Sequence, residues 1–152
     1  DGIKLVLFSN RHKVYDNVTS DAVVNVFMEN DPMGGTNLAA PLEDIFNNYL
    51  QRKASGKTQP NGEICIVITD GEPDSKTDVA KVISQFTHKL DNGDGEYGIL
   101  FCQVGRDQGA SAFLKYLDDN LGGAKFDIVD TKTFDEISDI GILESLQSAL
   151  VD

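Results

Sequence analysis

Ile64-Cys65-Ile66-Val67-Ile68-Thr69-Asp70-Gly71-Glu72-Pro73-Asp74 (ICIVITDGEPD) is the stretch on which the fold turns. Its first six residues are a continuous β-branched, apolar run rather than an alternating one. That pattern belongs to a strand covered on both faces, as in parallel sheets. Asp70-Gly71 ends it with a turn signal. Immediately downstream, Ser75 and Asp78 have the spacing of a capping box, and Val79, Val82, Ile83, Phe86 and Leu90 then fall on one helical face. His88 lies on the opposite face, as a solvated histidine would.

The alternation continues in both directions. Downstream, Tyr97 to Val104 (YGILFCQV) is a second buried strand. A helix carrying Ala112, Phe113, Tyr116, Leu117 and Leu121 follows, stopped by Gly122-Gly123. Phe126 to Val129 is a short strand. Thr133 and Glu136 then form a T-x-x-E capping box ahead of Ile137, Ile140, Leu143, Leu146 and Leu150, with Gly141 interrupting that last helical stretch. Upstream, Ala54 to Gly62 is a polar loop, preceded by a helix from the Gly34-Gly35 pair to about Lys53 with Leu38, Leu42, Ile45, Phe46 and Tyr49 at helical spacing. Pro41 is compatible only with the start of that helix. Before it stand a strand at Ile3 to Phe8, a short edge strand at residues 12 to 16, a helical or extended patch at Val23 to Phe27, and the Asn30-Asp31-Pro32 breaker.

Strands alternating with helices of this length imply right-handed crossovers and an α/β fold: a doubly wound, mostly parallel, Rossmann-like sheet with helices on both faces and one short antiparallel edge strand. At 152 residues and 40% hydrophobic content the chain suits one domain with a real core. Thirteen basic against 25 acidic residues give a formal charge of -12, which disfavours nucleic acid and anionic membrane surfaces as partners. No apolar run is long enough to cross a bilayer. Cys65 and Cys102 sit inside apolar strands and read as buried free thiols, pointing to a reducing, cytoplasmic compartment. Asp1-Gly2 leads straight into a strand without an initiator Met, the start expected if upstream sequence had been removed.

In sheets of this kind ligands bind at the carboxyl ends of the strands. Two loops fall there: Met33-Gly34-Gly35-Thr36-Asn37-Leu38 and Thr69-Asp70-Gly71-Glu72-Pro73-Asp74. The first presents a hydroxyl at a helix start after two permissive glycines, the second a carboxylate at the end of the best-buried strand. Taken singly, Thr36 reads as an N-cap hydroxyl and Asp70 as a turn aspartate. Together, in this order, they read as two ligands of one cation.

On these residues the chain resembles the von Willebrand factor A-type domain family. GGTNL is similar to the family's second metal loop and ITDGEPD to its third. The downstream run FCQVGRDQGASAFLKYLDDNL and then FDIVDTKTF is similar to intracellular-type bacterial and fungal members, so the resemblance spans essentially the whole chain. It implies a metal ion-dependent adhesion site holding Mg²⁺ (or Mn²⁺ or Ca²⁺), with Thr36 and Asp70 as ligands and Gly35, Asn37, Gly71, Glu72 and Asp74 around them as the rim. The family also takes an Asp and two Ser from a D-x-S-x-S motif on its first strand, and no such motif occurs here. The resemblance thus implies a single A-like domain over residues 1 to 152 that is incomplete at its N-terminal side. A slot would remain between the strands at residues 3 to 8 and 64 to 69, and a strand with its crossover helix takes roughly 30 residues.

The function implied is non-catalytic. Mg²⁺ takes six oxygens, and positions left open by the domain accept an Asp or Glu carboxylate from a partner protein. The ion inverts the local field of an acidic domain. Two alternatives stand beside this: a metal-dependent hydrolase or phosphatase using Asp70, and a scaffold whose metal site is inactive. Glu72 occupies the place where haloacid dehalogenase-like phosphatases need a second Asp. Gly93 to Gly98 formally matches G-x-G-x-x-G but precedes a strand instead of opening a helix, so it reads as a polar connector, together with Asp91, Asp94 and Glu96.

Overall fold

A computed structural model describes residues 3–8, 12–19, 22, 25–26, 29 and 36–140. Three strands, β3 (Glu63–Thr69), β4 (Tyr97–Gln103) and β5 (Val129–Thr133), form a parallel sheet in the order β3-β4-β5. Helix α1 (Ala39–Ala54) precedes β3, α2 (Lys76–Thr87) joins β3 to β4, α3 (Gln108–Asp119) joins β4 to β5, and α4 (Phe134–Ile140) follows β5. The chain is therefore α/β. Both crossovers step the same way across the sheet, and right-handed connections then put α2 and α3 on one face.

The register defines that face. Cys65, Ile99 and Val129 stand in one row, and Val67, Phe101 and Thr131 in the next. The main core gathers Val67, Ile99, Phe101 and Val129 with Val79, Ile83 and Phe86 of α2 and Phe113, Leu114 and Leu117 of α3. Helix α1 enters the same core through Leu42, Phe46 and Tyr49. At its centre Phe46 stacks on Phe86 with ring centroids 4.0 Å apart, and Tyr97 meets Phe86 edge-on at 5.0 Å.

The other face is uneven. Leu100 and Cys102 on β4 are buried, whereas Ile66 and Ile68 on β3 are 42% and 59% exposed. Among the described residues, the continuous apolar run that suggested a strand covered on both faces thus has one face partly open. Among the described residues nothing pairs with the outer edge of β3. Backbone N–H groups of a strand point alternately to its two sides. Hydrogen exchange is accordingly expected to be slow at every amide from Ile99 to Gln103, where β4 is paired on both sides. In β3, alternate amides should exchange faster by orders of magnitude. Uniform protection along β3 would show that its outer edge is covered.

Strands β1 (Ile3–Phe8) and β2 (His12–Val18) form a separate antiparallel pair. The edge strand runs two residues beyond the expected 12 to 16 because Asn17 adopts a left-handed conformation (φ 54°). That bulge lets Val18 pair with Ile3 and become buried. The hairpin lies beside the parallel sheet. Phe8 packs on the core, His12 Nε2 bonds Asp44 of α1 at 2.6 Å, and Lys4 adds its charge to the Arg52 guanidinium that holds the Glu63 carboxylate below its usual range.

Two further boundaries differ from the sequence reading. The last strand is Val129–Thr133 rather than 126 to 129, because Phe126 turns its ring onto Gly93 while the polar DTKT continues the pairing. An edge strand needs no continuous apolar run. Helix α3 stops at Asp119, short of Gly122-Gly123, and its buried stripe is Ala110, Phe113, Leu114 and Leu117. Tyr116 lies off that stripe and is exposed. His88, although exposed, bonds the Gly123 carbonyl at 2.6 Å. The capping boxes are present: Ser75 Oγ accepts from the Asp78 amide, and Thr133 and Glu136 bond reciprocally. Of residues 23 to 27, Asn25 and Val26 are helical and Val26 is buried. Residues 30 to 35, Gly141, Leu143, Leu146 and Leu150 lie outside the described residues. Cys65 and Cys102 are free thiols, and burial pushes the Cys65 thiol up to about 11.

Candidate functional site

The carboxyl ends of β3 and β4 are tied together where the Val104 amide donates to the Thr69 carbonyl at 2.9 Å. From β3 the chain leaves through Thr69, whose buried hydroxyl donates to the Gly71 carbonyl and tightens the turn. This leaves Asp70 exposed beyond the strand end, with Gly71 half-buried behind it.

The second loop is held against this turn by a reciprocal pair of bonds. The Thr36 amide donates to Asp74 Oδ1 at 3.1 Å, and the Asp74 amide donates to the Thr36 carbonyl at 2.9 Å. Residues 38 positions apart are thereby brought together, and Thr36 and Asp70 come from adjoining loops. Thr36 is not a helix cap. Helix α1 begins at Ala39, and Asn37 supplies the capping oxygen by accepting from the Ala40 amide at 3.3 Å. The Thr36 hydroxyl is thus spared from the role that its position in sequence suggested.

The rim residues have separate employments. Asn37 caps α1 and Asp74 fixes Thr36. Glu72 pairs with Lys76 one turn on, and its carboxylate occupies the space over Gly109 in the first turn of α3, where any Cβ would collide with it. A helix N-terminus favours such a negative charge. Gly35 lies outside the described residues. Sequence reasoning missed the support beneath the site: Asp107 caps α3 through the Ala110 amide, and buried Gln103 at the end of β4 donates to the Asp107 carbonyl and accepts from Ser111 Oγ. Asp107 followed by Gln-Gly-Ala-Ser was a legible helix start.

Among the described residues no group of three His, Cys, Asp or Glu side chains could hold a metal ion. Asp74 is engaged with Thr36 and Glu72 with Lys76, and Asp70 is the third, exposed carboxylate of that loop. Thr36 and Asp70 are oxygen donors of the kind a hard cation takes, and together they would fill two of the six positions of Mg²⁺. The same engagement of Glu72 removes a second carboxylate from a hydrolytic arrangement around Asp70. No described helix is long and apolar enough to cross a membrane. Neither a protein-family model nor a curated protein sequence matches the chain.

Proposed function

We propose that this chain is a binding module of the von Willebrand factor A type, without catalysis, that uses a divalent cation at Thr36 and Asp70 to capture an Asp or Glu carboxylate of a partner protein. One observation carries the reading: the reciprocal bonds between Thr36 and Asp74 hold the two loops side by side at the carboxyl ends of the strands, while Asn37 takes over the capping and leaves the Thr36 hydroxyl available. Thr36 and Asp70 would hold Mg²⁺, or Mn²⁺ or Ca²⁺ in its place. The ion would supply the electrostatic attraction that a domain of net charge -12 lacks for a carboxylate.

The arrangement proposed for the sheet is doubly wound, with one further strand between β1 and β3. What supports it is the unpaired outer edge of β3 among the described residues, its exposed Ile66 and Ile68, and a hairpin lying alongside with Lys4 near Glu63. That strand would bring the remaining ligands. The chain alone is accordingly expected to bind Mn²⁺ weakly and saturably in calorimetry. Asp70→Ala should weaken it at least about tenfold, since even the loss of groups that merely support an ion costs that much. Superimposable isotherms for the two proteins would sink the metal reading and leave a scaffold. Metal-dependent turnover of a generic phosphate ester, lost in Asp70→Ala, would favour the hydrolase instead.

A further inference from the structure

The outer edge of the parallel sheet holds two carboxylates where one charge is already hard to accommodate. Asp118, in the last turn of α3, and Asp130, on β5, both accept from the same backbone donor, the Thr131 amide, at 3.0 and 2.8 Å. Asp118 Oδ2 and Asp130 Oδ1 therefore converge on one N–H. Asp130 is 7% exposed, and among the described residues its buried Oδ2 has no hydrogen-bond partner. An orphaned carboxylate oxygen in such a place calls for a donor.

The cations nearby do not supply one. Lys132 Nζ stands 3.7 Å from Asp130 Oδ1, on the oxygen that already has a partner. On the side of α3 are Asp119 and Lys115, which pair with each other at 2.6 Å. In the segment leading to β5 are Asp127 and Lys125, and the Lys125 ammonium donates to the Leu90 carbonyl. Beyond β5, Glu136 is bonded to Thr133. Asp118, Asp119, Asn120 and Asp127 also line a cleft of about 200 Å³ at this edge. The field here is negative, and two ionised carboxylates side by side in it repel each other.

We propose that Asp118 and Asp130 hold one proton between them in the folded protein: Asp118 is the carboxylic acid, and its O–H is donated to Asp130 Oδ2. Asp130 is the acceptor of the pair, with Lys132 Nζ beside its Oδ1. Burial, and then the charges of Asp130, Asp119 and Asp127, push the Asp118 carboxyl upward from its ordinary value, in the direction that keeps the proton. The pair works as a pH-dependent clasp between the end of α3 and the outermost strand. As pH rises through the raised value of Asp118 the proton leaves, the repulsion is restored, and the helix end loosens from β5.

The sign of the linkage fixes the test. A carboxyl whose pKa is raised by folding stabilises the protein below its ordinary value near 3.8, and that stabilisation is lost as pH rises through the folded-state value. In Asp118→Asn the neutral side-chain amide mimics the protonated acid and still accepts from Thr131. That variant is therefore expected to melt about 3 °C above the parent at neutral pH, with the gap closing at acid pH. A variant less stable than the parent at neutral pH would mean that Asp118 acts as an ordinary ionised acceptor, and would overturn the proposal. Carboxyl carbon NMR gives a second readout that does not depend on stability. The Asp118 signal should titrate above its ordinary value, should return toward it in Asp130→Asn, and should not move when millimolar Ca²⁺ or Mg²⁺ is added. Titration at the ordinary value would overturn the shared proton, and so would a midpoint pulled down by the metal, which would make the bound cation a metal ion.

Discussion

Phe86→Ala is expected to lower the unfolding free energy by about 4 kcal/mol, near the middle of the range for removing a buried aromatic ring. Phe86 is 2% exposed and belongs to four-ring packing that joins three elements: it stacks on Phe46 of α1 at an interplanar angle of 5°, and meets Tyr49 of α1 and Tyr97 of β4 edge-on. Truncation removes the transfer energy of the ring, opens a void that stiff aromatic neighbours cannot collapse into, and cancels the pairwise ring contacts, each contributing about 1 kcal/mol. For a chain of this length the melting temperature should fall by roughly 12 °C. Tyr116→Ala is the matched control, since that ring is exposed and off the buried stripe of α3. It should change stability by less than about 0.5 kcal/mol. Equal losses in the two variants would show that the rings around Phe86 do not form the centre of the core.

That aromatic cluster was legible because periodicity reports it directly. Leu42, Phe46 and Tyr49 recur at helical spacing, as do Val79, Ile83 and Phe86, and all six are buried in the same core. The strands were legible where both neighbours are strands: β4 is buried throughout and apolar up to its last residue, Gln103. Periodicity fails at the margins. ICIVIT reads as covered on both faces, yet two of its isoleucines are exposed, because a sequence records what a strand can tolerate and not which neighbours it has. The polar DTKT of β5 hides a strand for the converse reason, since an edge strand keeps its ladder on one side with few apolar residues.

The candidate site divides along the same line. Two loops at strand ends could be picked out from glycine, hydroxyl and carboxylate placement, and the structure ties those loops together through Thr36 and Asp74. Which carboxylate is engaged by which donor could not be read. Asp70 stands out in DGEPD by its place at the strand end, but nothing there assigns partners to Glu72 and Asp74. Only the fold gives Glu72 to Lys76 and Gly109, gives Asp74 to Thr36, and leaves Asp70 facing outward. Long-range partners such as Thr36 and Asp74 leave no periodic trace.

Glu96 makes the same point with a larger energetic consequence. In sequence it stands in a polar connector; in the fold it is the hub of the amino-terminal end of the sheet. Its Oε1 accepts from buried Tyr49 at 3.0 Å and pairs with Lys53 at 2.6 Å, and its Oε2 accepts from the Asp91 and Asn92 amides. Burial opposes its charge, but Lys53, the two amides and Tyr49 outweigh that and bring its pKa down to about 2. Glu96→Ala should cost about 3 kcal/mol, because it leaves a buried hydroxyl and two amides without their acceptor at once and takes from the Lys53 ammonium one of its three partners, Asp91 and the Lys89 carbonyl remaining. Glu96→Gln retains most of the shape and separates the charge from it. A carboxyl whose pKa is depressed by folding stabilises the protein fully above its ordinary value of 4.5, and the contribution is lost as pH falls through that of the folded state. Urea unfolding is therefore expected to show the parent ahead of Glu96→Gln at neutral pH, with the lead shrinking below 4.5 and gone near 2. A lead that stays constant across that window would mean that the hub holds the sheet end by its shape, and that the charge network around Lys53 contributes nothing to folding.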